Sequence, residues 1–161
     1  TEMSMKIECA GYKQNSCDDG PGIRDVLFLQ GCRKNCPGCQ NKSQQFHGNG
    51  VWKDIDELVD EIADKCKNKK ITISGGEPLE QKEVLCILGN NLKKRGFQIC
   101  VYTGWNWNQL PKEIFQFADI IKAGPYIQEL KRGNLRFVGS DNQIMKRKND
   151  SDIWEEINLA G

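Results

Sequence analysis

Three cysteines fall within eight residues: Cys32, Cys36 and Cys39, in the segment Gly31-Cys32-Arg33-Lys34-Asn35-Cys36-Pro37-Gly38-Cys39-Gln40-Asn41. No other feature of the chain constrains it as much. Three thiolates on one short loop can converge on one metal centre, and as soft ligands they select zinc or an iron–sulfur cluster. A structural zinc site takes four protein ligands, usually from two Cys-x-x-Cys pairs, whereas only three cysteines stand in close register here. A cubane held by three cysteines leaves one iron without a protein ligand, and that iron can take a substrate or cofactor. A Cys3His zinc knuckle that borrows His47, the only histidine, is the rival arrangement. Unligated cysteines are disfavoured in so hydrophilic a loop, because buried free thiols favour apolar surroundings.

The full count is eight cysteines. Such a number arises in secreted disulfide scaffolds, or in a reducing compartment where thiols bind metal. No secretory signal is visible, and Cys9, Cys17, Cys66, Cys86 and Cys100 are scattered, so a cytoplasmic protein with one thiolate centre is expected. Cys66, Cys86 and Cys100 sit among apolar residues and read as small core side chains. Lys and Arg total 23 against 22 Asp and Glu, which lacks the basic footprint of nucleic-acid binding. The basic runs Lys67–Lys70 and Lys146–Lys148 read as solvated faces. No apolar run approaches the roughly 18 residues that cross a bilayer, so no membrane association is expected. Thr1–Ser4 read as a disordered end or an expression remnant.

Along the chain, strand and helix patterns alternate. Strands are expected at Lys6–Tyr12, Asp25–Gln30, Ile71–Ser74, Phe97–Tyr102, Asp119–Ala123 and Leu135–Val138. The clearest helix is Asp54–Lys67, where Ile55, Leu58, Val59, Ile62, Ala63 and Cys66 form one stripe and Asp54 can cap the first turn. Further helices are expected over Glu80–Arg95, stopped by Gly96, over Leu110–Phe117, and over Ser151–Ile157. Strands separated by helices of this length imply parallel βαβ units. The 161 residues fall short of the roughly 250 needed for a closed eight-stranded barrel. The expected fold is therefore one α/β domain spanning 1–161, a partial, laterally open (β/α) barrel of about five or six parallel strands. Its chemistry should lie at the strands' C-terminal edge, where Cys32 and Gly75 both fall.

Ser74-Gly75-Gly76-Glu77-Pro78 ends one of these strands. Its glycines let a ligand approach the backbone closely, and Glu77 can support an ammonium-bearing ligand directly or through the loop. A plain strand-to-helix turn with Pro78 at the helix start explains the motif equally well when it is taken alone.

Cys-x3-Cys-x2-Cys just after a strand resembles the signature of the radical S-adenosylmethionine superfamily. The lead-in Asp19-Gly20-Pro21-Gly22-Ile23-Arg24, then Leu27-Phe28 and Gly31-Cys32, resembles the activating enzymes of glycyl radical enzymes. Cys36-Pro37-Gly38-Cys39-Gln40-Asn41 is most similar to the activating proteins of anaerobic (class III) ribonucleotide reductase. Gly38 stands where many members of the superfamily carry an aromatic residue. The resemblance implies one [4Fe-4S] cluster on Cys32, Cys36 and Cys39. It also implies S-adenosyl-L-methionine bound by Gly38, Cys39, Gln40, Gly75, Gly76, Glu77 and Thr103, with no catalytic side chain beyond cluster and cofactor. Thr103 enters through Tyr102-Thr103-Gly104-Trp105, which resembles the reductase activators' strand end.

The activity so implied is an oxidoreductase reaction, reductive cleavage of S-adenosylmethionine and installation of a glycyl radical. The implied partners are anaerobic ribonucleotide reductase and an electron donor such as flavodoxin or ferredoxin. The alternatives within the superfamily are an activase of another glycyl radical enzyme and a small-molecule radical enzyme. Outside it stand an electron-transfer iron–sulfur protein and a zinc-binding interaction module, and Gly75-Gly76-Glu77 at a strand end argues against both. The family usually has Asp-Gly where this chain has Ala123-Gly124, which leaves Lys122 or Asp119 as the side chains able to serve that strand end. Gly139-Ser140-Asp141-Asn142-Gln143 is similar to the family's Gly-Ser-Ser-Asn-Gln, with no role derived for it or for the C-terminal tail.

Overall fold

The computed structural model describes residues 5–31, 50–130, 137, 138, 140 and 142–157. Within them lie strands β1 (Lys6–Ser16), β2 (Arg24–Leu29), β3 (Val51–Asp54), β4 (Lys70–Gly75), β5 (Gln98–Tyr102), β6 (Ile120–Ala123), β7 (Ile144–Lys148) and β8 (Trp154–Glu156). They form one sheet in the order β3-β1-β2-β4-β5-β6-β7-β8. β2, β4, β5 and β6 run parallel to one another. β1 is antiparallel to β2 and β3, and β7 is antiparallel to β6 and β8.

The fold is thus mixed α/β around a large sheet, and its parallel set is four strands instead of the expected five or six. The reason is connection length, since parallel neighbours need a crossover of a dozen or more residues. β1 and β2 are joined by the turn through Gly20 and Gly22, both at positive φ. β7 and β8 are joined by a turn that Asn149 closes by accepting from the Ser151 and Ile153 amides. Connections this short can join only antiparallel neighbours.

α1 (Ile55–Lys65) begins where Asp54 Oδ2 accepts from the Glu57 amide at 3.2 Å, as the capping pattern predicts. α2 (Lys82–Lys94) follows a 3-10 turn at Pro78–Gln81 and ends before Gly96, at φ +86°. Both helices cover one face of the sheet. Leu58 and Ile62 of α1 and Leu85, Leu88 and Leu92 of α2 share a core with Leu27, Leu29, Ile71, Ile73, Ile99, Val101 and Ile121. The alternate strand residues Cys100, Tyr102, Ile120 and Met145 form a smaller cluster, on the opposite face as the two-residue period of strands requires.

Four expectations change. Leu110–Phe117 is a 3-10 turn (Lys112–Gln116) and not an α-helix. Its core contacts Ile114 and Phe117 are three apart, the spacing that eclipses in 3-10 geometry. Ser151–Ile157 is not a helix either, because the Asn149 turn reverses the chain into β8. Trp154 of β8 then packs edge-on against Trp107 and Phe115, with ring centroids 5.5 Å apart in both pairs. The basic run Lys146–Lys148 lies in β7 and is not simply a solvated face. Lys146 Nζ sits 4.6 Å from the Trp107 ring centre, and Lys148 Nζ donates to the Phe115 carbonyl at 3.0 Å. Of the expected strand Leu135–Val138, Leu135 and Arg136 lie outside the described residues, and Phe137 and Val138 are in no strand. Thr1–Ser4 also lie outside. No helix of the described residues is long and apolar enough to cross a membrane.

Gly89 shows how tightly α2 is seated. A Cβ there would stand 2.3 Å from Phe117 Cδ1, in a fully buried ring. Gly89→Ala gains up to about 1 kcal/mol of helix propensity, but it overpacks a closed core at a cost of about 1–3 kcal/mol. Urea unfolding is expected to show a net loss of stability. A stabilised variant would mean that the α2–Phe117 contact is looser than this geometry.

Candidate active site at the carboxyl edge of the parallel strands

The ends of the four parallel strands are tied to one another by polar contacts. At the end of β2, the Leu29 carbonyl accepts from the Gly76 amide at 2.9 Å and the Gly31 carbonyl accepts from the Glu77 amide at 2.7 Å. Gly75 makes this approach possible. It has φ +113°, and a Cβ there would stand 2.2 Å from the Leu29 carbonyl oxygen. No side chain fits, so this glycine is required by the contact between β2 and β4.

Glu77 is 1% exposed. Its Oε2 accepts from the Leu79 amide at 3.0 Å and from Thr103 Oγ1 at 2.8 Å, and its Oε1 accepts from the Gly104 amide at 2.6 Å. The carboxylate therefore staples the end of β4 to the end of β5. Of the two ways in which Glu77 can support a ligand, this geometry favours the one that works through the loop. Thr103 Oγ1 also accepts from the Trp105 amide at 3.1 Å, and the Thr103 amide donates to the Lys122 carbonyl at 2.9 Å. The chain of contacts continues to β6, where the Gly124 amide donates to the Trp105 carbonyl at 2.8 Å.

Asn142 and Gln143 extend the same edge. Gln143 Nε2 donates to the Gly124 carbonyl at 3.0 Å, and Asn142 Nδ2 donates to the Pro125 carbonyl at 2.8 Å. These amides buttress the end of β6. Gly139 and Asp141 lie outside the described residues. Asp119 sits at the start of β6, on the far edge, where its carboxylate accepts from the Ile99 amide and pairs with Lys93. That placement removes it from the candidate ligand edge. Lys122 Nζ lies 3.9 Å from the centre of the Tyr102 ring.

Cys32, Cys36, Gly38, Cys39, Gln40 and His47 lie outside the described residues. The flanks of their segment do not. Gly31 is held to Glu77 at one end, and at the other the Gly50 amide donates to Glu8 Oε2 at 2.9 Å. Gln81 fixes the strand between these anchors. Its Nε2 donates to the Glu8 and Gln30 carbonyls at 2.9 and 3.1 Å, and its Oε1 accepts from the Glu8 amide at 2.8 Å. The two residues that flank the cysteine segment are thus both fixed near the end of β2, Gly31 on Glu77 and Gly50 on Glu8.

The other five thiols are poor competitors for a metal. Cys66 and Cys100 are buried, as expected for core residues, Cys9 is buried as well, and Cys86 is half-buried. Burial pushes the Cys9 and Cys100 thiols up to about 11, and raises Cys66 and Cys86 as well. Cys17 is exposed but follows the last residue of β1, opposite Arg24 at the far edge. Among the described residues no group of three or more His, Cys, Asp or Glu side chains is placed to hold a metal ion. The cysteines of the described residues thus offer no thiolate centre, and Cys32, Cys36 and Cys39 lie outside those residues.

Residues 18–146 match the family described as the 4Fe-4S single cluster domain. The anaerobic ribonucleoside-triphosphate reductase-activating protein of Escherichia coli K12 is 35% identical over 138 residues, covering 79% of this chain and 90% of that protein. The bacteriophage T4 protein of the same name is 32% identical over 149 residues, covering 86% and 94%. The pyruvate formate-lyase-activating enzyme of Staphylococcus epidermidis is 36% identical over 98 residues, 53% of this chain and 36% of that protein. The chain belongs to the anaerobic ribonucleoside-triphosphate reductase-activating proteins, radical S-adenosylmethionine enzymes with a [4Fe-4S] cluster domain. The resemblance drawn from its cysteine loop is borne out at the level of the family.

Two outcomes follow from this geometry. Glu77→Gln turns one acceptor into a donor facing amide and hydroxyl donors, and removes charge-assisted hydrogen bonds worth about 1.5–3 kcal/mol. Denaturant unfolding should lose stability in that range, and Thr103→Val should lose less. An unchanged midpoint in Glu77→Gln would contradict the staple. In the unfolded chain thiols ionise near 8.5, while Cys9 and Cys100 keep their protons to about 11. The unfolded state therefore binds fewer protons than the native state between about pH 9 and 11, and stability falls as pH rises through that window. Urea midpoints should decline there, and less so in Cys9→Ala and Cys100→Ala.

Proposed function

We propose that this chain is the activase of an anaerobic ribonucleoside-triphosphate reductase, installing a glycyl radical on it at the expense of S-adenosylmethionine. The observation that carries this reading is the anchoring of both ends of the cysteine segment on the edge that bears Gly75-Gly76-Glu77, in a chain whose relatives bear that name over most of its length. Cys32, Cys36 and Cys39 are the protein ligands of the cluster on this reading, and the sheet coils into a laterally open partial barrel. The chemistry the bound group supplies is one-electron cleavage of the cofactor's carbon–sulfur bond, yielding the radical that abstracts hydrogen from a glycine of the partner.

The chain's own residues do the positioning. Gly76 offers backbone without a side chain at the cofactor, and its amide is spent on Leu29, which keeps the loop fixed. Glu77 and Thr103 hold the ends of β4 and β5 together, and on this reading Gly38, Cys39 and Gln40 are the cofactor's contacts from the cysteine segment. Flavodoxin or ferredoxin is the class of electron donor. The glycine must meet the radical at once, because water and stray hydrogen donors compete for it.

The test is electron paramagnetic resonance on the anaerobically purified, reduced protein mixed with S-adenosylmethionine and the organism's anaerobic reductase. A glycyl radical signal is expected with the wild type and none with Cys36→Ala, while Cys66→Ala keeps its iron. Gly76→Val should bind S-adenosylmethionine at least tenfold more weakly with the iron content intact. A silent reductase together with stimulation of turnover by a small metabolite would replace the activase with a small-molecule radical enzyme.

A further inference from the structure

The edge where the parallel strands begin carries polar groups that the activase reading leaves unused. Arg24, Lys70 and Gln98 are the first residues of β2, β4 and β5. Lys70 pairs with Gln98, and Asp25 pairs with Ile71 one step further on, so the three stand side by side. The next residues, Ile71 and Ile99, belong to the helix-side core, so by strand alternation the three side chains lie on the helix-free face. In β7, Arg147 pairs with Ile120, which packs in the cluster on that face.

Arg24 is wholly buried. Gly20 of the β1–β2 turn closes over it: a Cβ there, at φ +131°, would stand 2.8 Å from Arg24 Cδ. Arg24 Nη2 donates to Gln98 Oε1 at 2.5 Å, while Nε and Nη1 have no partner among the described residues. A buried guanidinium with two unmet donors is costly unless a counter-charge stands near. Among the described residues no carboxylate forms an ion pair with it. Gln98, its oxygen held by Arg24, lines an open cavity of about 500 Å³ together with Lys70, Arg147, Lys148, Asp119 and Asp150.

Two of the charges lining this cavity are already committed. Lys148 donates to the Phe115 carbonyl, and Asp119 is paired with Lys93. Asp150 is exposed at the rim. Lys70 and Arg147 line the cavity and form no ion pair among the described residues, and Arg24 reaches its wall through Gln98. The balance is an excess of cationic donors, in the arrangement that suits an oxyanion, where guanidinium and ammonium groups supply several N–H donors at once. We propose that this cavity binds a multiply charged oxyanion of the phosphate class, with Lys70, Arg147 and the Gln98 amide as its contacts and Arg24 as the positioning residue behind them. Arg24 and Gly31 bracket β2, so the site stands about 20 Å from the cysteine segment at the usual rise per residue. It is separate from the cofactor edge.

The experiment is isothermal titration of the whole, anaerobically purified protein at constant ionic strength. One arm uses inorganic phosphate, a second adenosine triphosphate, and sodium chloride is the control. Saturable one-site binding of at least one phosphate probe is expected. It should be weakened at least tenfold in Lys70→Ala and in Arg147→Ala, whose side chains are not needed for the core. Equal affinity for the two probes identifies a free oxyanion as the ligand, and much tighter binding of the triphosphate identifies the phosphoryl groups of a nucleotide. Arg24→Met should also lose binding, and the two surface variants carry the test if that variant does not fold. Absence of binding by both probes, or binding unchanged in Lys70→Ala and Arg147→Ala, overturns the proposal.

Discussion

A buried carboxylate holds the candidate site together. Glu77 accepts from the Leu79 and Gly104 amides and from the Thr103 hydroxyl, and its own amide reaches the Gly31 carbonyl. One residue thereby ties the end of β2, the end of β4 and the end of β5. A carboxylate that is 1% exposed is tolerable only because its lone pairs are met by donors at hydrogen-bond distance. In return it fixes the relative positions of loops that parallel pairing alone would leave free, since ladder hydrogen bonds stop where strands end.

The same logic explains the edge beyond β5. Four parallel strands end in four different loops, and a site assembled from several loops is only as well defined as their spacing. Here the spacing is set by backbone groups donating across the loop bases, and Asn142 and Gln143 meet the carbonyls of Gly124 and Pro125. Gly75 is the steric counterpart. Its missing side chain lets β4 come against the Leu29 carbonyl, and without that approach the Gly76 and Glu77 amides would not reach β2.

The strands and helices that surround this edge were legible because their signals are local. Ile71–Ser74, Phe97–Tyr102 and the stripe of Ile55, Leu58, Val59 and Ile62 announce their period within a few residues. The antiparallel flanks were not legible. Lys146 and Lys148 belong to a strand that packs on Trp107 and Phe115, which lie some thirty to forty residues earlier in the chain. Trp154–Glu156 carries no strand pattern of its own and is set by the Asn149 turn. For the site, Gly75, Gly76, Glu77 and Thr103 could be placed on strand ends from the motif. The carboxylate's preference for Thr103 and Gly104 could not be read, because it depends on β4 and β5 being neighbours. Asn142 and Gln143 could be flagged only by resemblance, and their partner is a loop nearly twenty residues away.

Cysteine chemistry sorts along the same lines as the fold. A thiol becomes a ligand as the thiolate, so any environment that disfavours charge removes it from contention. Cys9 and Cys100 lie in the sheet with burial as the dominant influence, and Cys66 caps α1 with its Sγ donating to the Lys70 carbonyl at 3.2 Å. Each strand or helix that packs a cysteine inward thus withholds it from metal. The residues on either side of the cysteine run, Gly31 and Gly50, are tied to Glu77 and Glu8. The hydrophobic period that builds the sheet and its helices therefore also sorts the described cysteines, because each thiol it claims is held neutral by burial.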